Sequence, residues 1–209
     1  MMPTKLRLKL ANECADILAR TKLNTIKKDF KYSFLHSRDL NDQILNKMMN
    51  LFEPLMRDMY EKSSWGWKKE VKLSEWRHPR TRVVLVTQKD ICDLDKNIVA
   101  NGIDQLDEEN ELVGFICFRF ESGADKNECA LYVYELHIRE EFQRQGLGEE
   151  LMRMVRQIAI EFKMDKIMLT VFRTNEKALK FYNKLNFVTD ESSPSKKEAD
   201  YMILSSRIK

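Results

Sequence analysis

Apolar side chains return along this chain at two spacings, and each spacing predicts a kind of element. From Lys5 to about Arg20, Leu6, Leu10, Ala11, Cys14, Ile17 and Leu18 recur at helical intervals. Between Lys27 and Arg38, Phe30, Tyr32 and Phe34 alternate with Asp29, Lys31 and Ser33, the period of a short strand. A second helix runs from Asn41 to about Tyr60, with Ile44, Leu45, Met48, Met49, Leu51, Phe52, Leu55, Met56 and Met59 on its buried side. Asp39 or Asn41 serves as its cap. Pro54 removes a backbone donor from this run, so a break or kink is expected there. Arg82 to Gln88 and Leu112 to Phe120 read as apolar strands, the second with Gly114 marking a bulge. The acidic stretch Asp90 to Glu111 between them reads as a long surface connection.

In the second half, a polar turn (Glu121 to Glu128) leads into a central strand, Leu131 to Ile138. A helix from Glu149 to about Lys163 buries Leu151, Met154, Val155, Ile158 and Phe162. Lys166 to Phe172 is a strand, and Asn175 to Lys184 a short helix with Ala178, Phe181 and Tyr182 on one side. A strand begins at Asn186-Phe187-Val188, Glu191 to Asp200 is a polar loop, and Tyr201 to Ser205 is the last strand. Two helices, an antiparallel run of strands, then strand–helix–strand–helix–strand make a mixed α/β sheet in one domain, without repeat or linker.

Composition narrows the setting. The 209 residues are 43% hydrophobic and 33% charged, as in an ordinary soluble protein. A net charge of +3 is too small and too dispersed to argue nucleic-acid binding by itself. No apolar run approaches the roughly 18 residues of a membrane span, and Met1 to Ala19 does not resemble a secretory leader. Cys14, Cys92, Cys117 and Cys129 form no CxxC pair, so no metal is expected; Cys117, in an apolar strand, reads as a buried thiol of a reducing compartment.

Candidate chemistry gathers around Leu131–Gly148. Strand, glycine loop and helix N-terminus make an anion site, because the first amides of a helix lack intrahelical acceptors and its dipole favours negative charge. Gly146 and Gly148 leave room for a phosphate group. No Lys-Ser/Thr follows Gly148, so this is not a P-loop, and the spacing is not GxGxxG. Glu135 is a carboxylate in an aromatic and apolar strand; burial would raise its pKa, whereas simple alternation would leave it facing solvent. Tyr60 to Trp67 (YEKSSWGW) is either a helix end packing aromatics into the core or a loop lining a pocket.

Gln143-Arg144-Gln145-Gly146-Leu147-Gly148 resembles the Q/R-x-x-G-x-G/A motif of the GNAT superfamily of N-acetyltransferases. Asn175 through Ala178 to Phe181-Tyr182, then Phe187, resembles that family's asparagine-to-aromatic helix, in the expected order and distance. YEKSSWGW, LYVYE (Leu131 to Glu135), MLTVF (Met168 to Phe172) and DESSP (Asp190 to Pro194) are similar to the NatD-type N-alpha-acetyltransferases, over roughly Phe30 to Arg207.

The resemblance implies a single GNAT domain, with residues 1–27 as a helical extension and 28–209 as catalytic core. It implies acetyl-CoA as cofactor and acetylation of the N-terminal serine of histone H4 and the 2A-type histone. Leu136, His137 and Ile138 would pair with the pantetheine arm like an added strand. Arg144, Gln145, Gly146, Leu147, Gly148 and Glu149 would hold the diphosphate through main-chain amides, with Asn175 bonding the cofactor farther along. Tyr60, Trp65, Glu121, Tyr132, Tyr134, Thr170, Ser192 and Tyr201 would line the peptide channel. Tyr134 and Glu135 would stand near the reacting amine as catalytic residues, the Glu135 carboxylate taking the amine's proton directly or through one water or a water chain shared with Tyr134 and Tyr201, and Tyr182 would hydrogen-bond the departing thiolate unless it is simply an aromatic core residue. Glu121 would face the arginine near the substrate's reacting end. Here the sequence departs from the family, since the turn from Ser122 to Glu128 is longer and Gly123 stands where a second acid would be convenient; Asp125 or Glu128 would substitute. The expected partners are those histone N-terminal peptides, with no nucleic acid or membrane; a monomer of the cytoplasm and nucleus is expected. The competing readings are an acetyltransferase for other N-termini or lysines, and a non-catalytic acyl-CoA- or peptide-binding module.

Overall fold

The alternating segments become a sheet whose two faces bury different helices. The computed structural model describes residues 2–21, 27, 29–88, 111–123, 125 and 127–208, together with the backbone of 99–101. The helices are α1 (Thr4–Glu13), α2 (Ile17–Arg20), α3 (Asp42–Glu61), α4 (Lys69–Trp76), α5 (Leu147–Glu161) and α6 (Glu176–Lys184). The strands are β1 (Phe30–His36), β2 (Arg82–Gln88), β3 (Val99–Asn101), β4 (Leu112–Ser122), β5 (Cys129–Ile138), β6 (Lys166–Phe172), β7 (Val188–Thr189) and β8 (Tyr201–Arg207). They form one sheet in the order β3-β1-β2-β4-β5-β6-β8-β7. Its β1–β3 and β5–β6 pairs are parallel and the others antiparallel.

One face carries Val84, Val86, Ile116, Phe118, Leu131 and Val133 against Leu151, Met154, Val155 and Ile158 of α5 and Ala11 of α1. The other carries Val83, Leu85, Phe115 and Cys117 against Ile44, Leu45, Met48 and Phe52 of α3 and Trp76 of α4. Cys117 is a buried free thiol, as its setting predicted. Among the described residues, no helix is long and apolar enough to cross a membrane.

Several expectations are corrected. The single helix from Lys5 to Arg20 is two, broken at Cys14, with the Asp16 carboxylate capping the second through the Ala19 amide at 2.8 Å. Leu6 and Leu10, expected inside, are each 44% exposed, while Arg7 and Ala11 face the sheet. Arg7 binds Asp165 at 2.9 Å and the Lys163 carbonyl at 2.7 Å beyond the end of α5, so an ion pair outweighs apolar periodicity in setting the rotation of α1. Asn41, not Asp39, caps α3. That helix continues through Pro54 to Glu61 instead of breaking. Pro54 and Asn50, whose carbonyl loses its amide donor, are both exposed, so water can satisfy that carbonyl.

Helix α4 was not foreseen. Its buried residues are Lys72 and Trp76, one turn apart, and a charged residue on the inner face hides the apolar period. Strand β3 lies inside the acidic connection taken for a surface loop; residues 90–98 and 102–110 lie outside the described residues, as does Cys92. Helix α5 starts at Leu147, two residues before Glu149, with Gly146 at its cap.

The bulge expected at Gly114 is present. Val86 pairs with Gly114 and Thr87 with Leu112, so Val113 is the extra residue. A Cβ on Gly114 would lie 2.6 Å from Ile138 Cδ1 and 2.9 Å from the His137 carbonyl oxygen, so glycine lets β4 approach the end of β5. Gly114→Ala is expected to destabilise the fold by about 1–3 kcal/mol through overpacking, measured by chemical denaturation; a wild-type midpoint would show that the strand end yields freely.

Candidate active site

A second bulge organises the site. In the β4–β5 ladder Cys117 pairs with Glu135 and Phe118 with Val133, leaving Tyr134 without a partner across the ladder. One extra residue reverses which side chains face which way. Before it, Leu131 and Val133 face α5; after it, Leu136 and Ile138 do. On the other face Tyr132, Tyr134, Glu135 and His137 therefore stand together. Plain alternation would have separated Tyr134 from Glu135.

The sheet forks at the same point. The parallel ladder of β5 and β6 runs only from Ala130–Lys166 to Val133–Leu169, although both strands continue. Beyond it Glu135 to Ile138 pair with β4 on one side. The Ile138 carbonyl accepts the Gln143 side-chain amide at 2.8 Å, and the rest of that edge is suited to pairing with an extended ligand.

Glu135 is 6% exposed, so the solvent-facing reading fails. Both its oxygens are engaged, one by Lys72 Nζ at 2.8 Å and the other by His137 Nε2 at 2.7 Å. An ionised carboxylate only accepts, so His137 donates here. Burial acts to raise the Glu135 pKa, but the Lys72 charge and the His137 bond outweigh it and hold the carboxyl below its usual range. The raised value expected from the sequence is thus corrected, because a buried cation faces the acid. Lys72 Nζ also meets Glu75 at 2.6 Å and lies over the rings of Tyr60 and Phe52, at 5.0 and 5.4 Å.

Arg119, opposite Tyr132 in the ladder, stacks its guanidinium 4.1 Å from the Tyr134 ring centre. It is anchored on Thr81 Oγ1 at 2.9 Å and on the Glu75 carbonyl. The Tyr132 hydroxyl bonds Thr170 across the β5–β6 gap, and the Tyr132 and Tyr134 rings lie 5.0 Å apart.

The two tryptophans of YEKSSWGW have different surroundings. Trp67 stacks on Phe52 in the core, whereas Trp65 is 41% exposed and lies against Phe172 and Tyr201. Tyr60 packs edge-on to Phe172, and burial and the Glu135 charge push its pKa up to about 12, so it stays a neutral hydroxyl. The Ser64 amide donates to Asp200 at 2.6 Å, tying this loop to the 191–200 loop, which Arg173 holds through the Pro194 and Ala199 carbonyls.

Ser192 is occupied: its amide and hydroxyl donate to Asp190 at 3.0 and 2.6 Å, and Asp190 is a buried partner of Lys166. Glu121 has Arg80 at 3.9 Å as a loose partner and shares the Arg119 face of β4. Glu128, considered as a second acid for substrate, is already paired with Lys166 and Arg207; Asp125 is exposed.

On the other side of the fork, Arg144 and Gly146 take positive φ of 62° and 81°, and Gly146 turns the chain into α5. The first helical acceptance is Glu150 N–H to the Gly146 carbonyl, so the amides of Leu147, Gly148 and Glu149 precede the intrahelical ladder and suit an anion. The acids of this first turn are drawn aside, Glu149 by Lys184 and Glu150 by Arg153, each at 2.6 Å. Gln145 reaches back to the Glu141 carbonyl, and Leu147 is buried. Gly148 has a further reason to be glycine: a Cβ there would sit 3.3 Å from Phe181 Cζ of α6. Lys27 approaches Gly146, with Cε 3.5 Å from where a Cβ would stand. Asn175 caps α6 through the Ala178 amide at 3.1 Å, leaving its own amide group as a donor. Tyr182 packs on Phe181 and Phe187, and burial and then Glu135 raise its pKa, so its hydroxyl keeps its proton.

Lys72, Glu75, Arg119 and Lys27 were missed. The signal for Lys72 was indirect, since an acid expected inside an apolar strand requires a cation somewhere in the chain.

The acetyltransferase (GNAT) family matches residues 53–187. Among solved structures, the chain is similar to a NatC complex bound to Gag peptide and CoA, at 17% identity and TM-score 0.55 over 87% of this chain and 99% of that one. Ard1 from Thermoplasma volcanium matches at 14% and TM-score 0.54, over 87% and 99%. NAA60 of Arabidopsis thaliana in complex with a bisubstrate analogue matches at 14% and 0.54, over 86% and 100%. At such identities these are likenesses of fold. The family match spans more than half of the chain and includes the bulged strand, the fork and the glycine turn, and this chain belongs to the GNAT family of acetyltransferases.

Proposed function

We propose that this chain is an N-alpha-acetyltransferase, transferring acetyl from acetyl-CoA by direct attack, in a ternary complex, to the N-terminal serine amine of histone H4 and the 2A-type histone. The observation that carries this reading is the β5 bulge. It turns Tyr134 and Glu135 toward one aromatic-lined face, while Leu136 to Ile138 keep a strand edge for the cofactor. A peptide acceptor is supported by the likeness to a NatC complex bound to Gag peptide and CoA and to NAA60 in complex with a bisubstrate analogue. Histone selectivity, with the cytoplasmic and nuclear location that follows from it, rests on the YEKSSWGW and DESSP resemblance.

The residues fit acetyl-CoA, which when bound supplies an acyl group activated as a thioester. The amides of Leu147, Gly148 and Glu149 would take its diphosphate, with Lys27 adding charge beside Gly146. The edge of Leu136–Ile138 would pair with the pantetheine arm, and the Asn175 amide would donate to it. An α-amine has a pKa of about 7.7–8.0, so a useful fraction is neutral at physiological pH, whereas a lysine at about 10.4 would need far more help. The overall exchange is proton-neutral. As the C–N bond forms and the C–S bond breaks, the N–H proton lost by the amine balances the thiol produced. Tyr182, still protonated, can give its hydroxyl proton toward the sulfur side and recover it from the amine side through water. Tyr60, Trp65 and Tyr201 wall the acceptor channel, and Glu121 would take the substrate arginine.

A peptide panel tests the acceptor. An H4 N-terminal peptide should be acetylated, and the same peptide blocked at its α-amine should not; equal rates would remove the N-terminal reading, and equal rates for unrelated N-termini would remove the histone reading. Gly148→Glu should abolish acetyl-CoA binding in calorimetry, by charge at the helix N-terminus and by collision with Phe181; normal titration would overturn the loop assignment. Glu121→Gln should raise KM for the arginine-bearing peptide roughly tenfold, with kcat little changed. An unaltered KM would take Glu121 out of recognition.

A further inference from the structure

Lys72 belongs to no motif, yet it reaches the reacting strand. In α4 it lies one turn before Trp76, and the two bury together against the core of α3 and β4. A buried ammonium is tolerable only when paired, because desolvation costs several kcal/mol per ion. Lys72 has two carboxylates: Glu135 at 2.8 Å, and Glu75, itself 43% exposed, at 2.6 Å. The groups facing Glu135 come from every neighbouring element: Lys72 and, through it, Glu75 from α4; Tyr60 from α3; His137 on β5; Cys117 on β4; and Tyr182 from α6. Cys117, Tyr60 and Tyr182 have raised pKa values and remain protonated and neutral, whereas Lys72 brings a positive charge against Glu135 on the oxygen that His137 does not bind.

We propose that Lys72 is a positioning residue of this site, clamping Glu135 as a permanent carboxylate with both oxygens committed, so that Glu135 orients the amine side of the site without itself taking the amine's proton. The proposal rests on the acetyltransferase reading above and deepens it. Each Glu135 oxygen already accepts one bond, from Lys72 or from His137, and neutralising the carboxylate with a proton would weaken both. The same α4 segment steadies Tyr134, because the Glu75 carbonyl anchors Arg119 beneath that ring. One short helix thus holds both side chains that the bulge presents.

The sign follows from the direction of the shift. A carboxyl held below its ordinary value of about 4.3 stays ionised throughout the neutral range, so wild-type kcat/KM should rise with pH through the α-amine alone, near 7.7–8.0. In Lys72→Met the cation is gone and burial is opposed by His137 alone, so the Glu135 pKa rises. Below that new value the acid is protonated and kcat/KM falls further, adding an acidic limb shifted by about one unit or more. Lys72→Arg should remove that limb.

The decisive measurement is the 13C resonance of the Glu135 carboxyl in glutamate-labelled protein, assigned by its loss in Glu135→Gln. In the wild type it should show no titration between pH 5 and pH 8 (roughly the span on either side of neutrality), and in Lys72→Met a midpoint should appear inside or nearer that span. A wild-type carboxyl that titrates in this range overturns the clamp, as does a Lys72→Met carboxyl that behaves as in wild type. Extending the wild-type titration to acid decides the clamp even if Lys72→Met does not fold, since a midpoint at or above the ordinary value of about 4.3 overturns it. If the carboxyl stays ionised but no N-terminal peptide is acetylated, the functional reading fails while the clamp stands.

Discussion

A single unpaired residue, Tyr134, sets the geometry on which the site depends. Side chains along a strand alternate, and two neighbours can share a face only if the ladder slips between them. The slip on β5 brings Tyr134 and Glu135 to the side of α3 and α4 and returns Leu136 and Ile138 to the core beneath α5. Without it Glu135 would point into the apolar layer of α5, away from Lys72. The Val113 bulge two strand-turns away serves the same region, since Gly114 lets β4 close onto Ile138 and His137.

Charge placement follows from that geometry. Two buried lysines bracket the strands: Lys72 faces Glu135 on β5, and Lys166 at the start of β6 faces Asp190 and Glu128. Buried pairs of this kind add little net stability over an apolar isostere, but losing one partner costs about 3–5 kcal/mol. Their effect is therefore to define position. Lys166 locks the DESSP loop, whose Asp190 in turn holds Ser192, and Lys72 locks the acid in the site. The aromatic wall is assembled in the same way, from Trp65, Phe172 and Tyr201, three distant segments tied by Ser64–Asp200 and Arg173.

Legibility in the sequence tracked how far apart the cooperating residues are. The glycine turn, the α6 helix, the Gly114 bulge and β6 were readable because each is specified by residues within a few positions of one another. Helix α4 was not, because its inner face carries Lys72, whose burial makes sense only with Glu135 in place. The rotation of α1 was missed for the same reason, its Arg7 being answered by Asp165 across the fold. Glu128 looked free until β6 and β8 brought Lys166 and Arg207 to it.

By itself, the sequence determined the mixed sheet, the cofactor-side turn and the family resemblance, because periodicity and local motifs encode local backbone geometry. Tertiary structure alone decided that Tyr134 and Glu135 share a face, that Glu135 is held below its usual pKa, and that Trp65 and Trp67 have different surroundings. Those are matters of strand register and of charges brought together from separate elements. Their energies depend on distance and burial in three dimensions, and neither can be read from spacing along a chain.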